Sequence, residues 1–143
     1  MYIKGILEKR KTTSILTIEP DQTIQEAVTK LSNNKIGVLV VSSGDGKVDG
    51  ILSERDIVRE LGKRGPLVLH ETASSVMTAK VKTCVPTDTS EQVLKVMTEG
   101  RFRHIPVMDD GAIVAMISIG DLVKMRLDEI ESENNSIVEM IRG

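Results

Sequence analysis

Apolar residues at Ile24, Ala27, Val28 and Leu31 recur at i, i+3, i+4 and i+7, the spacing of one helix face. They predict a helix from Thr23 to about Asn33. Thr23 with Glu26 reads as a capping box at its start, and Pro20 stops any earlier helix. Gly37 then opens Val38-Leu39-Val40-Val41, a short β-branched run that predicts a buried strand. Ser43-Gly44-Asp45-Gly46 is a tight turn with a strong hairpin signal, and Val48 to Leu52 forms the returning strand. Ser53-Glu54-Arg55-Asp56 opens a second helix with an apolar face at Ile57, Val58 and Leu61, and Gly62 is its expected stop.

The same order returns after Pro86. Thr89 with Gln92 caps a helix whose face includes Val93, Leu94 and Met97. His104 to Met108 is a strand, Asp109-Asp110-Gly111 a turn, and Ile113 to Ile117 the returning strand. Ser118-Ile119-Gly120-Asp121 opens the last helix, followed by Leu122, Val123 and Leu127. Pro20 and Pro86, Thr23 and Thr89, and Val41 and Val107 are each 66 positions apart. Ser53 and Ser118, and Asp56 and Asp121, are 65 apart, so the second copy has lost one residue in its turn. This two-fold repeat predicts an α+β fold of two strand-helix-strand-strand-helix units. Neither unit alone holds a comfortable core, and the two are expected to bury one shared face.

Residues 1–14 form an N-terminal segment, 15–62 the first motif, 63–75 a linker, 76–128 the second motif and 129–143 a tail. The linker is long enough to hold a short strand or turn around Leu67-Val68-Leu69. The tail is acidic and then amphipathic. Ile137, Val138 and Ile141 suit a helix that docks on a partner subunit, and a frayed terminus is the competing expectation.

Composition narrows the chemistry. The 143 residues carry a net charge of −2 with basic residues spread along the chain, which disfavours nucleic acid as a partner. One Tyr, one Phe and no Trp leave almost no stacking platform, so a bound base would lie between aliphatic side chains and backbone. No apolar run approaches the roughly 20 residues needed to span a bilayer, and no signal-sequence pattern opens the chain, so a cytoplasmic setting is expected. Cys84 is the only cysteine and His70 and His104 the only histidines, so neither an internal disulfide nor a zinc site is expected. Cys84 reads as a neutral core thiol.

Ser53-x-x-Asp56 and Ser118-x-x-Asp121 each sit where a strand hands over to a helix. Two readings stay open. In one, Ser and Asp are helix caps. In the other, the helix N-terminus and Ser hydroxyl hold a phosphate while the carboxylate accepts from both hydroxyls of a ribose. Glu is the usual capping-box partner, and the shorter Asp in both copies tilts the balance toward a ligand.

Gly50-Ile-Leu-Ser-Glu-Arg-Asp-Ile-Val58 and Ala115-Met-Ile-Ser-Ile-Gly-Asp-Leu-Val123 resemble the ends of two cystathionine-β-synthase (CBS) motifs. Val76-Met-Thr78 followed by Val81-Lys-Thr-Cys-Val-Pro86 resembles the opening of the second, and Arg103-His-Ile-Pro-Val107 resembles the strand after its first helix. The likeness runs from Ile15 to about Leu127. It implies tandem CBS repeats packed sheet to sheet about a pseudo-two-fold axis, with two clefts, and a homodimer formed through helices. It also implies a role in sensing adenosine compounds: AMP, ADP, ATP, S-adenosylmethionine or NAD(H). Carried over residue by residue, Ser53 and Asp56, and Ser118 and Asp121, supply phosphate and ribose contacts. Thr17 and Thr83 line the base pocket. Gly37-Val38 and His104-Ile105-Pro106 form backbone and apolar walls. The first copy departs from the pattern: Lys11-Thr12 stand where Met77-Thr78 do, and Val40 stands where Pro106 does. Against that, Arg55 and Arg59 near its helix start suit extra phosphate charge, so the two sites are expected to differ in ligand. Arg101, Arg103 and His104 form a second cationic cluster, in which Arg103 reaches a phosphate or the charges are simply solvated.

The function expected is a regulatory module that binds an adenosine nucleotide and acts on an effector protein in trans by a shift in conformation. A ligand-free dimerisation scaffold is the alternative. Catalysis ranks last, because no general base, nucleophile or metal cluster can be assembled, and no catalytic cofactor is expected.

Overall fold

The computed structural model describes residues 1–9 and 15–142. The Lys11-Thr12 departure lies outside the described residues. The elements are α1 (Ile3–Lys9), β1 (Thr17–Ile18), α2 (Ile24–Asn34), β2 (Val38–Val41), β3 (Gly50–Ser53) and α3 (Glu54–Arg64). A 3-10 helix (Pro66–His70) and α4 (Ala73–Val76) follow, then α5 (Ser90–Gly100), β4 (His104–Asp109), β5 (Ala112–Ser118) and α6 (Ile119–Arg142).

The repeat is visible residue by residue. Thr23 and Thr89 accept from the Glu26 and Gln92 amides and start α2 and α5. Both helices end on a left-handed non-glycine residue, Lys35 and Arg101, whose amides bond back into the last turn. Asp45-Gly46 and Asp110-Gly111 have positive φ at both positions, the backbone that a type I′ hairpin turn requires. β1 runs parallel to β2, pairing Ile18 with Val41, and β2 pairs antiparallel with β3. In the second copy the first strand shrinks to one parallel bridge, Cys84 to Val107, at the place equivalent to Ile18. β4 and β5 pair antiparallel with a register shift after Val107, which leaves Val114 opposite no partner.

One expectation next to the linker changes, and one within it is decided. α3 does not stop at Gly62 but runs one more turn to Arg64, where Gly65 at φ 77° ends it. Gly62 carries no positive φ and is an ordinary helical residue. Of the strand or turn expected around Leu67-Val68-Leu69, the structure has the turn, as a 3-10 helix that Pro66 starts.

Beyond the shared face, the buried apolar residues form two clusters, one for each repeat. Leu39 and Val41 point into a cluster with Ile24, Leu31, Leu52 and Ile57, while Ile105 and Val107 point into a second with Met97, Ile117 and Leu122. Each cluster is completed by a short helix that comes before the opposite repeat. α1 buries Ile3 and Ile6 in the second core, and the Ile3 and Lys4 amides bond the Asp88 and Pro86 carbonyls at 2.9 Å. α4 buries Ala73 and Val76 in the first core, and the Ala73 and Ser74 amides bond Gln22 and Pro20 carbonyls. The bridges Tyr2 to Thr89 and Thr72 to Thr23 mark the same symmetry. Alternation along a strand aims Val40 and Pro106 away from these cores. Both are nevertheless fully buried, so the outer faces of the two sheets cover one another. Ile51 also exchanges both backbone bonds with Thr78, at 3.0 and 2.9 Å, and the Ile113 amide bonds the Gly46 carbonyl.

Candidate functional site

Both Ser-x-x-Asp junctions close as reciprocal caps. The Asp56 amide donates to Ser53 Oγ at 3.1 Å, and Asp56 Oδ2 accepts from the Ser53 amide at 3.0 Å. The Asp121 amide donates to Ser118 Oγ at 3.1 Å, and Asp121 Oδ2 accepts from the Ser118 amide at 2.8 Å. The cap fixes each carboxylate through its Oδ2.

The junctions differ in their surroundings. Asp56 is 7 % exposed, and its Oδ1 accepts from Arg59 at 3.1 Å. Arg59 also lies 3.7 Å from Glu60. Its charge, expected to serve a phosphate, is thus spent on carboxylates of its own helix. Arg55 is exposed at the start of α3. Asp121 is half-buried and lines a depression of about 170 Å³ with Ile6, Lys9, Lys124, Met125 and Asp128, between α1 and α6. Two lysines there offset the acids. A larger polar hollow of about 400 Å³ follows α6 from Asp128 to Glu139. It is lined by that one helix alone, so it has no second wall to enclose a ligand.

His104 gathers groups from both repeats. It pairs with Ser118 across β4 and β5. Burial holds its imidazole below the usual value. Asp121 and Glu54 pull it back up, and Arg103 pushes it further down. Glu54 comes from the first repeat. Its amide bonds the Gly37 carbonyl at 2.9 Å, and its carboxylate would lie 3.3 Å from a Cβ at Gly37. At the equivalent place in the second repeat, the Ile119 amide bonds the Arg103 carbonyl at 2.8 Å. His104, Asp121, Arg103 and Glu54 therefore form one electrostatic group across the junction of the repeats. Glu54 is the member that sequence reasoning left out of the site, and its one signal was its place inside the first Ser-x-x-Asp.

The wall residues divide. Ile105 and Pro106 are fully buried, Gly37 and Val38 half-buried, and Thr17, Thr83 and Arg103 exposed. Ile105 points into the second core. The Thr17 carbonyl accepts from Lys30 Nζ. Arg101 serves as the left-handed cap of α5. Cys84 is buried, and desolvation with help from Asp88 pushes its thiol up to about 12, leaving a neutral core group. Among the described residues no three His, Cys, Asp or Glu side chains could hold a metal ion, and no helix is long and apolar enough to cross a membrane.

Comparison with known proteins agrees with this architecture. The CBS domain family matches residues 7–63 and 73–128. The crystal structure of the CBS-domain containing protein ATU1752 from Agrobacterium tumefaciens superposes with a TM-score of 0.83 at 41 % identity, covering 88 % of this chain and 99 % of that one. The CBS domain-containing protein CBSX3, mitochondrial, of Arabidopsis thaliana is 32 % identical over 127 residues, 86 % of this chain and 62 % of that protein. Larger Arabidopsis relatives are spanned to about a quarter of their length. The CBS domain pair of protein MJ0100, solved in complex with 5′-methylthioadenosine and S-adenosyl-L-methionine, shares the fold at a TM-score of 0.77 and 22 % identity, over 90 % of this chain and 98 % of that one. With two matched motifs, the internal duplication and the superposition in agreement, this chain belongs to the CBS domain family.

Proposed function

We propose that this chain is a regulatory CBS pair that binds an adenosine nucleotide (AMP, ADP, ATP or NAD(H)) beside Asp121 and signals to an effector protein in trans from a cytosolic homodimer. The observation that carries the reading is the group at the junction of the repeats. Asp121, pre-set by its cap, stands beside an opening and shares His104 with Glu54 of the other repeat. A ligand that reached from this opening to His104 and Glu54 would engage both repeats and favour the arrangement that fits it. The adenosine compounds named for the MJ0100 pair support the ligand class. The lone, buried Cys84 fits a reducing compartment. Asp56 is 7 % exposed and held by Arg59, whereas Asp121 borders a depression, a difference in line with two sites of unequal ligand preference.

A second reading has its own support. Both carboxylates serve as caps, which is all that a ligand-free dimerisation scaffold needs. Thermal melting separates the two. A ligand at a hundred times its dissociation constant stabilises by about 2.7 kcal/mol, a rise of roughly 5–10 °C at this size. Asp121→Asn keeps a cap acceptor and removes the charge. The sensor reading expects one of the adenosine compounds to raise the transition in the native chain and to fail in Asp121→Asn. If none of AMP, ADP, ATP, NAD(H) or S-adenosylmethionine moves it, the scaffold reading stands.

A further inference from the structure

The second half of α6 is a helix that none of the described residues packs against. Leu122 and Met125 bury its first turns against the second core, but every residue from Glu131 to Arg142 is exposed. A helix of about 12 residues without packing is marginal in water. Its apolar pattern points to what supplies the packing. Val123, Leu127, Ile130, Asn134, Ile137 and Ile141 are spaced alternately by four and three, the a and d seam of a heptad repeat. The five apolar members are 39–79 % exposed, so the seam is not used within the protomer. It lies about 130° around the helix from the Leu122 and Met125 face, so both faces can be occupied at once.

The other heptad positions agree. Leu127, Asn134 and Ile141 fall at a, and Val123, Ile130 and Ile137 at d. Every b, c and f position from Asp128 to Arg142 is polar. Arg126 at g faces Glu131 at e of a second copy only if the two helices run parallel, and the pair then occurs twice by symmetry. Asn134 is the one polar residue in the seam. A single Asn at an a position selects two parallel strands in register, because its amide finds a partner only in its own copy. The β-branched residues at d favour larger bundles, and the Asn opposes them.

We propose that two copies of this chain join through a parallel two-stranded coiled coil of α6, spanning Val123 to Ile141 with Asn134 as its register lock. This deepens the homodimer named above and does not depend on the nucleotide. It would hold both second repeats in parallel at one end of the assembly and give a ligand-driven shift a rigid element to move.

Cysteine cross-linking of the full chain tests it. Leu127→Cys and Asn134→Cys can both meet their own copies only in a parallel pair, while Ser132→Cys at f points outward and Cys84 is buried. Under mild oxidation both seam variants are expected to form disulfide-linked dimers about tenfold faster than Ser132→Cys, since paired a positions lie within disulfide reach. Melting of the reduced variants checks that each is folded. Linking at Asn134→Cys alone means antiparallel helices and overturns the proposal. Linking at neither, with a dimeric mass by light scattering, overturns the coil and keeps the dimer. A monomeric native chain removes both, and a tetrameric mass overturns the two-stranded form. Ile137→Glu provides a check without oxidation: it is expected to weaken association of the native chain, and an unchanged dissociation constant overturns the coil.

Discussion

Replacing Ile3 with Ala tests the crossing of α1 onto the second repeat. Ile3 is fully buried in the core that holds Met97, Ile105 and Ile117, more than eighty residues away in sequence. Truncating a buried Ile costs about 2–5 kcal/mol, the transfer energy of the lost methyl groups plus the cavity left behind. α1 is short and can shift to refill the space, so about 3 kcal/mol is the expected loss. Single domains hold only about 5–15 kcal/mol in total, so the urea midpoint should fall visibly. With no Trp in the chain, circular dichroism at 222 nm is the suitable signal. Tyr2, 61 % exposed next to Ile3, is the control; Tyr2→Ala should stay within about 0.5 kcal/mol. Because the two cores are separate clusters, native-state hydrogen exchange should report the loss locally. Amides of α5 and β4 should lose protection while those of α2 keep theirs. A loss for Ile3→Ala no larger than for Tyr2→Ala, or equal deprotection of α2 and α5, would refute the crossing and the separation of the cores.

Gly50→Ala places a Cβ 2.5 Å from Met77 Sδ and 2.8 Å from the Thr78 carbonyl; overpacking of about 1–3 kcal/mol should lower the melting point by roughly 3–10 °C, read by calorimetry. His104 titrates below its usual 6.5 in the fold, so between that value and its lowered one the unfolded chain binds more protons. Stability is then full above about pH 6.5 and falls as pH drops through this window. Urea midpoints of His104→Gln should show a shallower pH slope than the native chain, and an equal slope would assign the effect elsewhere. The buried Cys84 thiol, pushed up to about 12, should react with maleimide at a rate set by unfolding, so that labelling at pH 7.5 accelerates in urea in step with the loss of structure.

Much of the protein was legible because its determinants are local. The i, i+3, i+4, i+7 face of Ile24 to Leu31 requires only that the next turns of the same helix exist. The Asp-Gly pairs at 45–46 and 110–111 specify their turns through their own φ angles, and each Ser-x-x-Asp closes within one helical turn. A repeat of 65 or 66 positions then doubles every local signal, which is why the fold class followed from sequence. Gly62 misled because Gly65, at φ 77°, supplies the stop, and Arg64 in the added residues pairs with Glu60 and Glu71. The linker stayed open between strand and turn because Leu67-Val68-Leu69 carries a strand-like composition, and Pro66 at the start of the 3-10 helix decides for the turn.

The rest belongs to contacts between residues distant in sequence. No local pattern tells Ile3 to enter the second core or Val76 the first, since both cores accept any apolar side chain of the right volume. Nor does a pattern bring Glu54 within electrostatic reach of His104, fifty positions on and in the other repeat. The sequence by itself determined the elements, the turns, the caps and their duplication, all set by interactions across a few bonds or one helical turn. The tertiary structure decided which segments complete which core and which charges meet at the junction, because those depend on how whole elements pack.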